Sequence, residues 1–210
     1  MVEISEKAKI KNMIIDAARV YGQSLSGKNF LYIYGECYFE VSFPIDHFRH
    51  LTGVNSCLYA SKFYNYAKSG LLTTKQFYFD ERYLKNLVLL KLPYLVRLPE
   101  LTTKPVCVLK DMKTYTYSYK VCLTDFEFTL ALVDKNNNHR NLFVPMSLRI
   151  EGKSIDRSLD GDIVDFIFCK DASIDKYDSL LVRDDNKKIP LSVKHLVNPK
   201  FYGDQKLITR

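Results

Sequence analysis

The sequence predicts an α+β domain in which N-terminal helices pack on an antiparallel β-sheet. Apolar residues recur at helical spacing in several stretches of the first hundred residues, whereas short strand-like runs separated by polar turns dominate after residue 104. The 210 residues are 47% hydrophobic and 26% charged, which is an ordinary globular composition. This composition excludes disordered and low-complexity classes.

Three helices are predicted in the N-terminal half. The first covers residues 5–22, with Ser5 as its N-cap and Gly22 at its end. The second covers residues 56–70, with Ser56 as its N-cap. The third covers about residues 80–92 and is followed by prolines that break the helix.

The strands are predicted from aromatic and β-branched runs. Two such runs around Gly35 predict a β-hairpin, and a short helical turn follows at residues 46–53. Further strands are predicted in the segments PVCVLK, TYTYSYKVCL, FEFTLALV, NLFVP, DIVDFIFCK and LLVRD, with DKNNNHRN as a hairpin loop. Residues 1–186 are therefore predicted to form a single domain, and residues 187–210 a C-terminal arm or the final strand of the same domain.

The charge is unevenly distributed. The net charge is +7, and residues 61–120 carry eleven Lys or Arg against four Asp or Glu. A basic segment that is also rich in tyrosine suits a polyanion such as nucleic acid, although a solvated basic face would have the same composition. No apolar run reaches the roughly 18 residues that a membrane span needs, so no membrane partner is expected.

Several common chemistries lack their motifs. The chain has no P-loop, dinucleotide-binding, zincin or nucleophile-elbow motif, and its carboxylates are scattered. The five cysteines contain no C-x-x-C pair and are expected to be buried reduced thiols. No metal site and no cofactor are therefore predicted.

The segment HFRHLTG carries the most specific local signal. His47 and His50 are three residues apart and share one face of a helical turn, and Arg49 lies between them. Histidine suits proton transfer near neutral pH. Thr52 and Gly53 are placed to offer a hydroxyl and a backbone N–H to a phosphate. The alternative is that one histidine packs or caps this turn.

Other candidates lie further along the chain. Lys62 is a candidate for neutralising a phosphate, and Tyr64, on another side of the same predicted helix, is a candidate substrate contact. Ser147 and Arg149 alternate onto one face of a predicted strand, where Arg149 would hold an anionic transition state. Arg82 is a weaker candidate of the same kind. Each of these residues could equally be an ordinary surface or core residue.

Together these side chains suit RNA cleavage without a metal ion. A base takes the proton from the 2′-hydroxyl, cations stabilise the phosphorane and an acid protonates the leaving 5′-oxygen. RNA supplies its own nucleophile, so the protein needs none.

The ordered series of FPIDHFRHLTGV, the KFY helix, KQFYFDER, LFVPMSLR and DFIFCKD resembles a known family. It looks like the fourth phage-associated family, PBECR, of the Barnase–EndoU–colicin RNase–RelE (BECR) superfamily. The resemblance implies a BECR α+β core and metal-independent RNA cleavage. It places His47, His50, Thr52, Lys62 and Arg149 in the site, with His50 as general base or acid.

The resemblance also implies a biological setting. The protein would be a toxin or effector of a phage or mobile element, acting in the bacterial cytoplasm on RNA, with an antitoxin or a host protein as a further candidate partner. The alternative function is a non-enzymatic, phage-encoded inhibitor that binds a host defence protein or a nucleic acid. The basic, tyrosine-rich segment would serve either function.

Overall fold

The structure is a computed structural model that describes residues 2–79, 84–114, 117–135, 141–150 and 158–202. The described helices are α1 (Val2–Ser24), α2 (Phe48–Thr52), α3 (Ala60–Lys68), α4 (Lys85–Leu95) and α5 (Glu100–Thr103). Short 3-10 turns lie at Ile45–His47, Leu191–Val193 and Pro199–Tyr202. No described helix is both long enough and apolar enough to cross a membrane.

The strands of the main sheet are β1 (Lys28–Tyr34), β2 (Cys37–Ser42), β5 (Cys107–Lys113), β6 (Ser118–Thr124), β7 (Thr129–Asp134), β8 (Leu142–Arg149), β9 (Leu159–Ile163), β10 (Phe166–Asp171) and β11 (Ser179–Arg183). Their order in the sheet is β11-β10-β1-β2-β8-β7-β6-β5-β9. Two further short strands, β3 (Asn55–Ser56) and β4 (Phe77–Tyr78), pair with each other. The α+β class is therefore confirmed.

The sheet differs from the predicted antiparallel sheet at one pair of strands. β2 and β8 run parallel, and they pair only at Glu40 with Leu142 and at Val41 with Phe143. Every other strand pair of the main sheet is antiparallel. Beyond this short pairing, the turn and helix that follow β2 lie beside β8. The candidate site lies where the chain leaves β2 and the following turn and helix continue beside β8.

The β-hairpin around Gly35 has the predicted position. Gly35 has a φ of +54°, a left-handed conformation that glycine adopts without steric cost. Its N–H donates a 2.8 Å hydrogen bond to the buried carboxylate of Asp165, which lies between β9 and β10. The predicted strand DIVDFIFCK is thus divided between β9 and β10, and Asp165 lies between them, where its carboxylate accepts the hydrogen bond from Gly35.

The helix limits predicted from capping residues are partly wrong. α1 begins before Ser5 and continues past Gly22 to Ser24, and α3 begins at Ala60, so that Ser56 lies in β3 instead of at a helix cap. Gly22 is needed for packing: a Cβ atom there would lie 2.5 Å from the Tyr64 hydroxyl oxygen. The glycine marks a close approach between α1 and α3. The predicted loop DKNNNHRN falls mostly on residues 136–140, outside the described residues.

Buried side chains form one large cluster and two smaller ones. The large cluster combines apolar residues of α1 to α5 with one set of alternate strand residues, whereas a second covers the opposite side of β1, β2 and β10. Residues 189–202 supply part of the second cluster through Ile189, Val193 and Val197. A third cluster lies around Met112 and Cys122. The status of residues 187–210 as an arm of the same domain stays a prediction.

The apolar runs of the sequence predict seven phenylalanines in the core, and five of them are buried: Phe39, Phe63, Phe128, Phe166 and Phe168. Phe79 is partly buried. Phe126 is a wrong prediction because it lies at a turn with a φ of +72° and is 63% exposed. The expectation of buried thiols holds fully only for Cys122, since Cys37 and Cys57 are exposed.

Candidate functional site

The short helical turn after β2 positions the two histidines. The 3-10 turn Ile45–His47 continues directly into α2, and Gly53 ends the helix with a φ of +73°. Phe48 and Leu51 are fully buried on the inner side of this turn. Because these two side chains anchor it, His47 remains partly exposed and His50 exposed on the outer side.

His47 is oriented by a hydrogen bond to the backbone of β8. Its Nδ1 lies 2.7 Å from the carbonyl oxygen of Pro145. A carbonyl oxygen only accepts hydrogen bonds, so Nδ1 carries the proton and donates it. In the neutral ring, Nε2 is then the unprotonated nitrogen and is available to exchange a proton with a ligand.

His50 favours its neutral form in the folded protein. Its pKa is lowered by burial first, and then by the positive charges of Arg49 and His47. The side chain is therefore a free base near neutral pH, although it is open to solvent on one side. This is the protonation state that a general base requires.

Arg49 and Thr52 hold this turn in place. Arg49 Nη1 donates a 2.8 Å hydrogen bond to the carbonyl oxygen of Leu58, which ties α2 to the segment before α3. The Thr52 hydroxyl donates a 2.6 Å hydrogen bond to the Arg49 carbonyl oxygen and accepts one from the Val54 N–H. Thr52 is fully buried. The expected contact between its hydroxyl and a phosphate is thus a wrong prediction, because that hydroxyl stabilises the helix end from inside.

Arg149 lies on β8, the strand that pairs with β2 in parallel. It is the last residue of β8 and pairs with Thr129, whereas Ser147 pairs with Ala131. The two side chains are two residues apart on one strand, as the sequence predicts. The Arg149 Nε atom is buried and has no hydrogen-bond partner among the described residues. A buried donor without a partner is costly unless a ligand satisfies it.

Lys91 is a further candidate site residue, which no motif in the sequence predicts. It lies on α4, and its Nζ is 3.9 Å from the position that a Cβ atom would take at Gly53. Its pKa is lowered by burial first and then by the charge of Arg149. Lys91 therefore lies between the end of α2 and Arg149. A lysine inside the apolar run VLLKLPYL was the available sequence signal.

These five side chains are called the basic cluster below: His47, Arg49, His50, Lys91 and Arg149. Across the described part of the chain, none of the ion pairs involves any of them. Positive charge without a carboxylate partner in a partly buried position is suited to binding an anion, and two imidazoles beside it add proton transfer. No described group of three or more His, Cys, Asp or Glu residues could hold a metal ion.

The remaining candidates lie apart from the basic cluster. Lys62 is exposed on α3, and its Nζ lies 5.4 Å from the ring centroid of Tyr66. Tyr64 is buried, with its ring against Tyr21 and Phe48 at centroid distances of 5.9 and 5.4 Å. The expected substrate contact of Tyr64 is therefore wrong, because the ring fills the core. Arg82 lies outside the described residues.

The α+β fold places positive charge near two histidines, a combination suited to binding a phosphate-like anion and to proton transfer. Residues 13–186 match the family model of the phage-Barnase-EndoU-ColicinE5/D-RelE like nuclease4 family, PBECR4. The match covers most of the chain, so the chain belongs to this nuclease family, and the resemblance noted in the sequence is confirmed. Comparisons with curated proteins and with solved structures find no match. The whole basic cluster lies within the matched residues.

Proposed function

We propose that the protein is a metal-independent endoribonuclease whose active site is the basic cluster. The observation that carries the proposal is a chain of neighbours: the turn of His47 and His50 ends at Gly53 beside Lys91, and the charge of Arg149 acts on Lys91. None of the ion pairs among the described residues involves these two cations, and the Nε of Arg149 has no hydrogen-bond partner there. Membership of a nuclease family supports it. A BECR-like core, with the N-terminal helices packed on the sheet, is part of the same proposal.

His50 acts as the general base in this mechanism. It takes the proton from the 2′-hydroxyl, and the 2′-oxygen then attacks the adjacent phosphorus. The bond from phosphorus to the 5′-oxygen breaks, and the products are a 2′,3′-cyclic phosphate and a 5′-hydroxyl. The lowered pKa of His50 supports this role, because it keeps the imidazole unprotonated near neutral pH.

His47 acts as the second proton-transfer group. With Nδ1 held by the Pro145 carbonyl oxygen, a protonated His47 presents its Nε2–H and can donate that proton to the leaving 5′-oxygen. After the reaction His50 has gained one proton and His47 has lost one, so the protons balance. Exchange of protons with water then returns His50 to its neutral form and His47 to its protonated form.

Arg149 and Lys91 stabilise the charge that develops on the phosphorane. The unpartnered Nε of Arg149 and the ammonium of Lys91 supply fixed donors at this charge. Arg49 is already bonded to the Leu58 carbonyl oxygen, and its charge acts mainly on His50. Lys62 and Ser147 stay predicted contacts to more distant parts of the RNA.

The biological role proposed with this activity is that of a toxin or effector of a phage or mobile element, acting in the bacterial cytoplasm. An antitoxin or host protein would then restrain or receive it. Expression should stop bacterial growth, and His50→Ala should restore growth while the protein stays folded. Continued toxicity of a folded His50→Ala protein would remove this histidine from the proposed site.

The activity is tested with purified protein, total bacterial RNA and EDTA. We expect discrete cleavage by the wild type and by His195→Ala, and none by His50→Ala. His195 is a suitable control because it is an exposed histidine in the C-terminal segment, beside the ring of Tyr38. Intact RNA with folded wild-type protein would refute the nuclease proposal and favour a binding protein.

A further inference from the structure

A groove lies along three neighbouring strands of the main sheet, one of which is β8. It has a volume of about 650 Å³, and β6, β7 and β8 line it. The residues that line it include Tyr117, Tyr119, Lys120, Phe143 and Met146. This volume falls in the range of sites that hold a small organic group, and its lining is both aromatic and cationic.

Two tyrosines form a platform at one side of this groove. Tyr117 is 52% exposed, whereas Tyr119 behind it is 5% exposed. Their ring centroids are 4.8 Å apart and their planes meet at 43°. Three hydrogen bonds with Thr114 fix the backbone of Tyr117: its carbonyl oxygen accepts from the Thr114 N–H and hydroxyl, and its N–H donates to the Thr114 hydroxyl oxygen. The exposed ring therefore extends from a bonded turn and lies against the buried ring of Tyr119.

β8 runs from the groove towards the basic cluster. Met146 lines the groove, the carbonyl oxygen of Pro145 accepts the hydrogen bond of His47, and Arg149 ends the same strand. Arg149 pairs with Thr129, and Thr129 pairs with Thr124 of β6, seven residues from Tyr117. This separation is about 23 Å along the strands, from a rise of about 3.3 Å per residue. About seven stacked nucleotides span the same length, at about 3.4 Å each.

We propose that the groove binds an unpaired base of the RNA, about seven nucleotides from the phosphate held by the basic cluster, by stacking it on Tyr117. The proposal rests on the proposed function, since it takes RNA as the ligand. Lys120 is exposed beside the platform and contacts the backbone phosphate of the stacked nucleotide.

This geometry selects single-stranded RNA. Aromatic side chains stack on bases that are splayed out, and the bases of a duplex are already stacked on each other. A duplex would bring phosphates to the basic cluster but no free base to Tyr117. The groove thus separates loops and unpaired ends from helical RNA.

The test is a binding measurement with a 12-nucleotide oligouridine that carries 2′-O-methyl groups and a fluorescent label. The methyl groups remove the nucleophile, so binding is measured without cleavage. We expect Tyr117→Ala to weaken binding at least about fivefold, Tyr117→Phe to retain it, and Tyr78→Ala to leave it within twofold. Tyr78 is a matched control because it is 46% exposed and lies outside the groove, on β4.

The salt dependence separates stacking from charge. Tyr117→Ala should leave the slope of log Kd against log salt unchanged, whereas Arg149→Met should lower it by about 0.7. A sole tryptophan at this position gives a direct readout, since the chain has no Trp. The fluorescence of Tyr117→Trp should be quenched by the oligouridine, and more weakly by an RNA duplex of equal length.

The outcomes separate this proposal from the nuclease proposal. Unchanged binding by Tyr117→Ala, or equal binding of duplex and single strand, overturns the groove even if the wild type cleaves RNA. Weakened binding by Tyr117→Ala supports the groove even if the wild type cuts no RNA. A wild type that binds no oligouridine overturns the groove.

Discussion

Replacing Arg149 with methionine should stabilise the fold while it removes activity. The Arg149 Nε atom is buried without a partner among the described residues, and the charge of this guanidinium adds to burial in lowering the pKa of Lys91. Both features destabilise the free protein, and both would be useful once a phosphate is bound. Methionine keeps a long apolar side chain in the same place and removes the charge and the donors.

The magnitude follows from the two unfavourable interactions that the substitution removes. A buried donor without a partner costs about 1–3 kcal/mol, and repulsion between partly exposed charges adds at most about 1 kcal/mol. Methionine recovers only part of this, so we expect a gain of about 1–2 kcal/mol in the free energy of unfolding. For a chain of this size the melting temperature should rise by about 2–8 °C. Losing a donor to the transition state should lower kcat about 100- to 1,000-fold.

The assay pairs a denaturant or thermal melt with RNA cleavage for Arg149→Met and Arg97→Met. Arg97 is the matched control, since its guanidinium is bonded to Glu100 and Glu127 and lies near Asp125. Arg97→Met should lose stability and keep its activity. An Arg149→Met protein that is less stable than the wild type, or that keeps more than a tenth of the activity, would refute this interpretation of the site.

Three further predictions concern pH, packing and the core. Because the folded protein favours the neutral form of His50, the free energy of unfolding should fall as the pH drops below 6.5 through the lowered pKa, and it should fall less in His50→Asn. The pH profile of kcat/KM should have its acid limb below pH 6.5. An acid limb above pH 6.5 would count against His50 as the general base. Gly22→Ala should destabilise the fold by about 1–2 kcal/mol, because the added methyl group clashes with the Tyr64 hydroxyl. In a thermal melt of the double mutant, Tyr64→Phe should relieve this loss. A Gly22→Ala protein that is more stable than the wild type would contradict the close approach of α1 and α3. Phe63→Ala, at a fully buried ring, should cost about 3–5 kcal/mol in a denaturant titration, and a loss under 1 kcal/mol would show that the ring is not in the core.

Local patterns predicted the elements around the site better than the contacts within it. The hairpin at Gly35 and the helical turn that ends at Gly53 follow from turn chemistry and short-range periodicity, and both have the predicted positions. The helical turn that carries two histidines three residues apart, with Phe48 on its buried side, is another short-range feature. Such features can be predicted because they depend on only a few neighbouring residues.

The parallel pairing of β2 with β8 joins residues about a hundred positions apart, so no local pattern contains it. Lys91 and Arg149 come together only through this long-range arrangement. Thr52 and Tyr64 were wrongly predicted as ligand contacts, again because long-range packing decides their position. Their hydroxyl groups suggested contact with a ligand, but the packing of α1, α2 and α3 places both hydroxyls inside the protein.

Cleavage of a defined RNA in EDTA tests the central claim most directly. The substrate is an oligonucleotide that spans a site cut in total RNA, compared with a copy that carries one 2′-deoxynucleotide on the 5′ side of the scissile phosphate. We predict that the all-ribose strand is cut to a 2′,3′-cyclic phosphate and a 5′-hydroxyl, and that the deoxy copy stays intact at this site. Equal cutting of both strands, or a product with a 5′-phosphate, would contradict attack by the 2′-hydroxyl at the basic cluster.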